Sequence, residues 1–290
     1  MQGDTGTMPL SIRAAVWWAA HGIRGRGAVA RMVGRWQPAD RSLFIKTKHG
    51  APLSVDYQNF DIYATILTHG GQWEGQVMDC CEAILRPGDV FFDIGASAGI
   101  FTLDLSALIP DLTVFAFEPQ PTLARHCRQS IARGGFDRVK LFEVLLGAEE
   151  GEASLFLTRH SVHASTVARE ARYREIRVPR RALDDLLAAG EVAGPDIIKI
   201  DVEGGELSVF KGAEKLLRTY QPSIVLEADV NMNRMGYTAD DLFQLLTDIA
   251  PYKFFLIEGD GSIVPATRPY PFGNFLALSP RHAERLSLTS

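Results

Sequence analysis

From residue 89 onward, the chain alternates between short, continuously apolar runs and longer segments in which apolar residues recur every three or four positions. The apolar runs predict seven strands, at 90–94, 113–117, 139–146, 197–200, 223–227, 253–257 and 275–278. Helices are predicted at 100–108, 121–133, 206–218 and 238–249. Continuously apolar strands separated by helices are typical of a parallel sheet covered on both faces, so we predict an α/β fold.

Two segments depart from this pattern. Residues 42–48 and 53–57 alternate like the strands of a hairpin, and a helical pattern over 77–85 leads from them into the core. Between the third and fourth strands, "EASLFL" and "EIRVPR" alternate like antiparallel strands joined by a polar stretch. Polar loops that leave such sheets often form part of a substrate site, so we predict a substrate loop inserted at about 151–180.

The predicted organisation has three parts. A basic helical appendage covers 1–40, the hairpin and helix cover 41–85, and the main domain covers 86–282. The apolar content of 46% and charged content of 22% are ordinary for a globular protein and argue against wholesale disorder. Three cysteines, two of them adjacent, form neither a disulfide framework nor a zinc spacing, and the amino terminus does not resemble a secretory signal. A reducing cytoplasm is therefore the expected location.

Charge is distributed unevenly along the chain. Residues 1–50 hold eight Lys and Arg against two Asp and Glu, whereas the remainder holds 22 against 33. The acidic main part disfavours binding along a nucleic-acid backbone. The basic segment 10–36, which contains Trp17 and Trp18, fits either contact with an anionic membrane surface or packing as a helix on the domain or on the partner in a homodimer.

The stretch "FFDIGASAGIF", residues 91–101, carries the main chemical signal. Gly95 and Gly99 flank small residues, so that backbone faces whatever lies at the start of the following helix. Glu118 ends the next strand, where an acid commonly accepts hydrogen bonds from ribose hydroxyls. The alternative interpretation is structural: the glycines only let the helix pack closely on the sheet.

Asp93 separates two nucleotide-binding interpretations. The spacing from Gly95 to Gly99 does not match the G-x-G-x-x-G of dinucleotide sites, and no Gly-Lys-Ser/Thr of a P-loop follows. A carboxylate at the strand end would repel a pyrophosphate by several kcal/mol, whereas a cationic ligand such as S-adenosylmethionine would be attracted. An NAD-binding oxidoreductase and a non-catalytic adenosyl-binding protein remain the alternatives.

The sequence resembles the FkbM-type family of class I S-adenosylmethionine-dependent methyltransferases. The resemblance is carried by "PGDVFFDIGASAGIFTL", "FAFEPQP", "GAEEGEASLFL" and "DIIKIDVEGGELSVFKGAEKLL". It implies a Rossmann-like, mostly parallel sheet of seven strands with helices on both faces and one reversed strand near the end. It also implies methylation of a hydroxyl on a sugar, glycan or secondary metabolite.

The resemblance further implies a set of cofactor contacts. The methionine end would lie against the first strand and its loop, with Thr102 at the carboxylate, while Glu118 would hold the ribose and Leu146 would lie near the adenine. In the loop, Ser97 or Ala96 replaces the family's usual Asn, which preserves backbone contacts only. Glu74 would close over the cofactor. The predicted cofactor residues are Glu74, Asp93, Gly95, Ala96, Ser97, Gly99, Thr102, Glu118, Pro119 and Leu146.

Methyl transfer to a hydroxyl needs an aligned nucleophile and a proton acceptor. Asp201 and Glu203 follow a buried strand, and Glu227 ends the next one, so all three are expected at one sheet edge. His163 in the polar loop is a fourth candidate. Acids near a helix start are also favourable for structural reasons. Three acids suit Mg²⁺, although we do not expect the metal to be obligatory. The buried position of Lys199 predicts a structural ion pair.

Overall fold

The computed structural model describes residues 42–56, 73–157, 164–165 and 174–286. The predicted appendage at 1–40, including the segment 10–36, lies outside these residues, so its role stays a prediction. The division into parts at 41–85 and 86–282 likewise remains a prediction. Within the described ranges, no helix has both the length and the hydropathy needed to cross a membrane.

The described chain begins with the predicted hairpin. Strands β1 (Ser42–Lys46) and β2 (Pro52–Asp56) pair antiparallel, and helix α1 (Gly75–Ile84) precedes the main sheet. Helix α1 directs Val77, Met78, Cys80, Cys81 and Ile84 into the core. This buried stripe explains the helical spacing of apolar residues in the sequence.

The first half of the main sheet is a run of alternating strands and helices. Its elements are β3 (Val90–Ile94), α2 (Ile100–Leu108), β4 (Thr113–Phe117), α3 (Pro121–Gly134) and β5 (Val139–Phe142). Helix α3 begins with proline at its first position and is capped at its end by Gly135, whose φ is 66°. Both signals are typical of helix boundaries and were readable in the sequence.

A second, smaller sheet follows. It contains β6 (Leu145–Leu146), β7 (Gly151–Leu157), β8 (Ala164–Ser165) and β9 (Arg174–Arg181), in the order β6-β9-β7-β8. Strands β7 and β9 pair antiparallel, as the alternating sequence predicts. The prediction of one strand over 139–146 is wrong, because the chain leaves the main sheet after Phe142 and pairs Leu145 with Arg180. That partner lies too far along the chain to be read from the local pattern.

The remaining elements complete the main sheet. They are α4 (Leu183–Ala188), β10 (Ile197–Ile200), α5 (Glu206–Lys211), α6 (Glu214–Tyr220), β11 (Ser223–Ala228), α7 (Val230–Arg234), α8 (Ala239–Ile249), β12 (Lys253–Ile257), β13 (Ile263–Pro265), β14 (Gly273–Leu278) and a 3₁₀ helix (Pro280–Arg285). The predicted helix 206–218 is two helices. Asp184 on α4 accepts bonds from the amides of Lys215 (3.0 Å) and Leu216 (2.8 Å), which caps α6 from outside.

The strand order of the main sheet is β13-β12-β14-β11-β10-β3-β4-β5. Strands β3, β4, β5, β10 and β11 are parallel, and β14 is reversed between β11 and β12. The α/β, mostly parallel, Rossmann-like architecture is therefore confirmed. The sheet has eight strands rather than seven, because the short β13 adds a second reversed strand by forming a hairpin with β12. Its run of three residues, Ile263–Pro265, is too short to be predicted as a strand.

Helices cover both faces of this sheet. Phe91 belongs to one buried cluster with α1 and α2, whereas its neighbour Phe92 belongs to another cluster with α5, α6 and α8. Successive side chains of a strand point to opposite faces, so burial on both sides requires a continuous apolar run. The same arrangement brings the carboxyl ends of β3, β4, β10 and β11 to one edge of the sheet, beside the glycine loop.

Candidate functional site

A cavity of about 700 Å³ opens at this edge. It lies against the carboxyl ends of the central strands, where open α/β sheets bind their ligands. The small sheet and the residues before α1 also contribute to its walls. The predicted site residues that line it are Glu74, Gly95, Ala96, Ser97, Glu118, Pro119, Leu146, Asp201, Glu203 and Glu227. His163 lies outside the described residues, and its role stays a prediction.

The two loop glycines are required by close packing. A Cβ on Gly95, where φ is 81°, would lie 1.9 Å from the carbonyl oxygen of Asp201. A Cβ on Gly99, where φ is 93°, would lie 2.7 Å from Sγ of Cys127. Close packing thus constrains both positions, and Gly95 also forms part of the cavity wall. Gly99 lies behind the loop, outside the lining.

Glu118 connects the loop to the end of β4. Its carboxylate accepts hydrogen bonds from the amides of Ser97 (2.9 Å) and Gln120 (2.8 Å). The side chain is buried, and burial raises the pKa of Glu118 to about 7. Each carboxylate oxygen can accept a further bond, so the group can serve a pair of hydroxyls entering from the cavity.

Asp93 lies near the end of β3 and is held by the helix that follows it. Its carboxylate is fully buried and accepts bonds from the amide (3.1 Å) and hydroxyl (2.6 Å) of Thr102, in the first turn of α2. Burial raises the pKa of Asp93, although Lys199 and Thr102 act to lower it. Neither Asp93 nor Thr102 is among the described residues that line the cavity. Direct contact between the Asp93 carboxylate and a ligand therefore stays a prediction.

Lys199 carries a buried positive charge beside Asp93. The two residues are register partners on β10 and β3, and the Lys199 ammonium lies 3.4 Å from the Asp201 carboxylate and 5.0 Å from the centre of the Phe101 ring. Burial alone would lower the pKa of Lys199, but the carboxylates of Asp201, Asp93 and Glu74 raise it. The lysine is thus held as a cation, in agreement with the predicted ion pair.

A tight turn after β10 carries two of the predicted catalytic acids, Asp201 and Glu203. Glu206, at the start of α5, accepts bonds from the amides of Val202 (3.1 Å) and Gly204 (3.3 Å). The hydroxyl of Tyr237 donates to the same carboxylate (2.8 Å). Sequence reasoning missed both residues. An acid directly after Gly204-Gly205 was a usable signal for Glu206, whereas Tyr237 comes from a distant loop without any local signal.

Glu203 is oriented by a second group of residues. The Asn231 amide donates to the Glu203 carboxylate (3.0 Å) and also to Asp229, and Arg234 donates to the Asn231 carbonyl (2.8 Å). Asp229 caps α7 by accepting a bond from the Asn231 backbone amide (2.8 Å). Asn231 was not predicted. It fixes two cavity-lining carboxylates side by side.

Glu227 differs from Asp201 and Glu203 in the hydrogen bonding of its carboxylate. Within the described part of the chain, its carboxylate has no hydrogen-bond partner, and the side chain is half-buried at the end of β11. Burial is the main cause that raises the pKa of Glu227 to about 7, with contributions from Asp201, Glu74, Asp229 and Glu203. A carboxylate with a pKa near 7 and no internal partner has the properties of a general base.

Backbone strain is concentrated around the cavity. Glu74, Ser97 and Glu203 line it and have φ values of 49°, 53° and 56°, in the left-handed region that L residues rarely adopt. Such conformations cost about 1–3 kcal/mol each and persist where the surroundings enforce them. At Glu74, burial raises the pKa of the carboxyl group. Three strained polar residues around one cavity indicate a functional site rather than a packing defect.

The acids do not form an evident metal centre. Among the residues that the structure describes, no group of three His, Cys, Asp or Glu side chains has a geometry suited to hold a metal ion. Asp201 and Glu203 are paired instead with the Lys199 ammonium and the Asn231 amide. A role for Mg²⁺ therefore stays a prediction without a defined ligand set.

Comparisons with known proteins identify the family of this chain. A family model described as "Methyltransferase FkbM domain" matches residues 93–254, which is more than half of the chain. The chain is 29% identical over 148 residues to the 2-O-methyltransferase NoeI of Sinorhizobium fredii, a match that covers 46% of this chain and 60% of that protein. It is 28% identical over 138 residues to the hexuronic acid methyltransferase AglP of Haloferax volcanii, covering 47% and 55%.

A solved structure, that of methyltransferase FkbM from Methylobacillus flagellatus, is also similar. Its TM-score is 0.45 at 16% identity, with 89% of this chain and 60% of that chain covered. The chain thus spans about 60% of the length of the curated protein NoeI. The family match covers the strands from Asp93 to Phe254 that present the cavity acids. The chain belongs to the FkbM methyltransferase domain family.

Proposed function

We propose that this protein transfers a methyl group from S-adenosylmethionine to a hydroxyl oxygen of a sugar, glycan or secondary metabolite. The observation that carries the proposal is the set of carboxylates at the ends of β4, β10 and β11 around one cavity of about 700 Å³. Such a cavity attracts a cationic methyl donor and repels a diphosphate. The similarity to NoeI, a 2-O-methyltransferase, supports oxygen as the acceptor atom.

The residues divide between donor and acceptor. When bound, S-adenosylmethionine supplies an electrophilic methyl group on a sulfonium. Glu118 would accept bonds from the ribose hydroxyls, and the backbone of Gly95 and Ser97 would face the methionine part. The carboxylates of Asp201 and Glu74 offer negative charge close to the same loop. Asp93 would support this end indirectly, through Thr102 and Lys199.

Catalysis would depend on the acids at the other end of the cavity. Glu227 would accept the proton of the acceptor hydroxyl as the oxygen attacks the methyl carbon, because it alone of the three predicted acids lacks a partner in the described residues. Glu203, held by Asn231, would orient the hydroxyl. Asp201, held by Lys199, would fix the turn that carries Glu203. Alignment of this kind supplies much of the rate enhancement.

The partners and location follow from the same proposal. The acceptor is a small molecule or glycan, and nucleic acid is not expected as a partner. Cys80, Cys81 and Cys127 are buried and free, which accords with the expected cytoplasmic location. Membrane contact through residues 10–36, or a homodimer, remains a prediction that flotation with anionic vesicles and sedimentation of the intact chain would test.

Calorimetry followed by methyl-transfer assays tests the function. S-adenosylhomocysteine should bind at micromolar strength and NADH should not. With a panel of sugar and metabolite acceptors, Glu227→Gln should lower kcat by at least about a hundredfold while S-adenosylhomocysteine still binds, because only the proton acceptor is lost. Glu258→Gln is the matched control, since Glu258 follows strand β12 at the same sheet edge but lies outside the cavity lining. Binding of NADH without binding of S-adenosylhomocysteine would refute the proposal.

A further inference from the structure

The strand beside Glu227 carries a second polar side chain without a partner. Asn274 on β14 is the register partner of Glu227 on β11, and the two strands run antiparallel. In the described part of the chain, the side-chain amide of Asn274 makes no hydrogen bond, although the residue is half-buried. Because an amide both donates and accepts hydrogen bonds, this capacity is available to a ligand.

Asn274 and Glu227 point to the same face of the main sheet. Val225 on β11 and Leu276 on β14 both pack in the cluster that contains α1 and α2, and side chains two residues apart on a strand share a face. The Cβ atoms of directly opposed residues in an antiparallel pair lie about 4.5–5.5 Å apart. On its other side, Asn274 is paired with the buried Ile257. The carboxylate and the amide therefore form one polar pair at the edge of the cavity.

Exposed apolar side chains collect next to this pair. The described chain has five large apolar residues that are more than a third exposed, and three of them belong to this region: Val230 (49%), Met235 (39%) and Phe272 (60%). Met235 lines the cavity. Gly273 pairs with Ala228, so Phe272 leaves β14 beside Asp229, which also lines the cavity. An aromatic ring is thus offered to solvent one residue beyond the polar pair.

A carboxylate, an amide and an exposed aromatic ring together suit a sugar ring. A pyranose carries hydroxyls around its rim and C–H groups on its faces. The hydroxyls can donate to the carboxylate and exchange hydrogen bonds with the amide, while a C–H face can cover apolar surface of the aromatic ring. An isolated hydroxyl on an aliphatic chain would desolvate the Asn274 amide without giving it a partner, which costs free energy.

We propose that Asn274 and Phe272 bind the acceptor: Asn274 bonds the hydroxyl next to the one that Glu227 deprotonates, and Phe272 stacks on a face of the same ring. The proposal rests on the proposed function and narrows its acceptor to a ring with neighbouring hydroxyls. Neither residue takes part in the transfer itself. In that step the S–CH₃ bond breaks, the O–CH₃ bond forms and the hydroxyl proton passes to Glu227.

Saturation-transfer NMR on the protein saturated with S-adenosylhomocysteine tests acceptor binding without turnover. The probes are the methyl pyranosides of common hexoses, deoxyhexoses and pentoses. The pyranoside that binds best should receive saturation on the C–H groups of one ring face. When its hydroxyls are removed one at a time, the loss of either of two neighbouring hydroxyls should weaken binding about tenfold, the effect of one lost hydrogen bond.

Two variants separate the roles of Asn274 and Phe272. Asn274→Ala should weaken this pyranoside about tenfold and should no longer distinguish it from one of the two deoxy analogues. Phe272→Ala should lose the saturation of the ring face and raise the KM for the pyranoside about tenfold at unchanged kcat, whereas Phe272→Trp should retain both. Val264→Ala is the control, because Val264 is an exposed apolar residue on β13 outside the cavity lining, and it should bind as the unaltered protein does.

Several results would overturn the inference. They are binding of no pyranoside to the S-adenosylhomocysteine complex, full discrimination against both deoxy analogues by Asn274→Ala, and unaltered pyranoside affinity in Phe272→Ala. Both variants should bind S-adenosylhomocysteine as the unaltered protein does, and a variant that loses this binding would also contradict a role confined to the acceptor. Failure of the unaltered protein to bind S-adenosylhomocysteine would instead refute the proposed function.

Discussion

Glu118 shows how one residue links protonation to ligand binding. Burial raises the pKa of its carboxyl group to about 7, and two backbone amides hold it in place at the cavity wall. Bonds from ribose hydroxyls favour the ionised form, so the pKa of Glu118 should fall when the cofactor binds. Below pH 7, part of the binding energy is therefore used to remove a proton.

We predict that the affinity for S-adenosylhomocysteine is constant above about pH 8 and falls below pH 7, by up to about tenfold per pH unit because one proton is coupled to binding. Titration calorimetry between pH 5.5 and pH 8.5 measures this dependence. Glu118→Gln should bind more weakly at high pH and lose most of the pH dependence. A profile that is identical for both proteins would show that Glu118 does not titrate in this range.

At the residue scale, the type of a side chain does not determine the direction in which it points. Asp93 and Glu118 both lie at strand ends, yet one is behind the loop and the other lines the cavity. Asp93 points to the same face as Phe91, towards α2, because side chains two apart on a strand share a face. The sequence placed both acids at strand ends. The packing of β3 against α2 decided what surrounds each of them.

At the scale of elements, the turn from β10 into α5 depends on a buried polar network. Glu206 is 2% exposed and is satisfied by two amides and the Tyr237 hydroxyl. Burial raises the pKa of Glu206, and these hydrogen bonds act in the opposite direction. The network holds Val202 and Gly204 on either side of Glu203, and so determines where that acid points.

Tyr237→Phe should therefore lower the free energy of unfolding by about 1–3 kcal/mol, because a buried carboxylate loses a donor. Urea denaturation measures this change. Tyr252→Phe is the matched control: both tyrosines are 7% exposed, but the Tyr252 hydroxyl has no hydrogen-bond partner in the described residues. That control should be neutral or stabilising. Equal losses in both variants would contradict the importance of the Glu206 network.

At the scale of the whole molecule, the cavity is assembled from distant parts of the chain. Leu53 comes from the hairpin, Trp73 from the segment before α1, Leu155 from the small sheet and Met235 from the loop after α7. A ligand that contacts all of them should stabilise the assembly as a unit. Ligand present at about 100 times its Kd adds about 2.7 kcal/mol to the free energy of unfolding.

We expect S-adenosylhomocysteine to slow amide hydrogen exchange in the glycine loop, at the end of β4 and in β7 and β9. Strand β13 contributes no residue to the cavity lining. Its amide exchange should therefore slow no more than the overall stabilisation of the protein requires. Mass spectrometry of peptic fragments resolves these segments. Protection confined to the glycine loop would contradict a role for the small sheet in binding.

The sequence by itself determined the alternation of strands and helices, the parallel sheet and the acids at its carboxyl edge. Those features follow from local periodicity, because strands buried on both faces must be continuously apolar and their ends must turn at glycine or polar residues. Tertiary structure alone decided that Leu145 leaves the main sheet to pair with Arg180, that Tyr237 completes the turn, and that Asp93 faces Thr102. Those contacts join segments far apart in the chain, and their geometry depends on packing that no local pattern encodes.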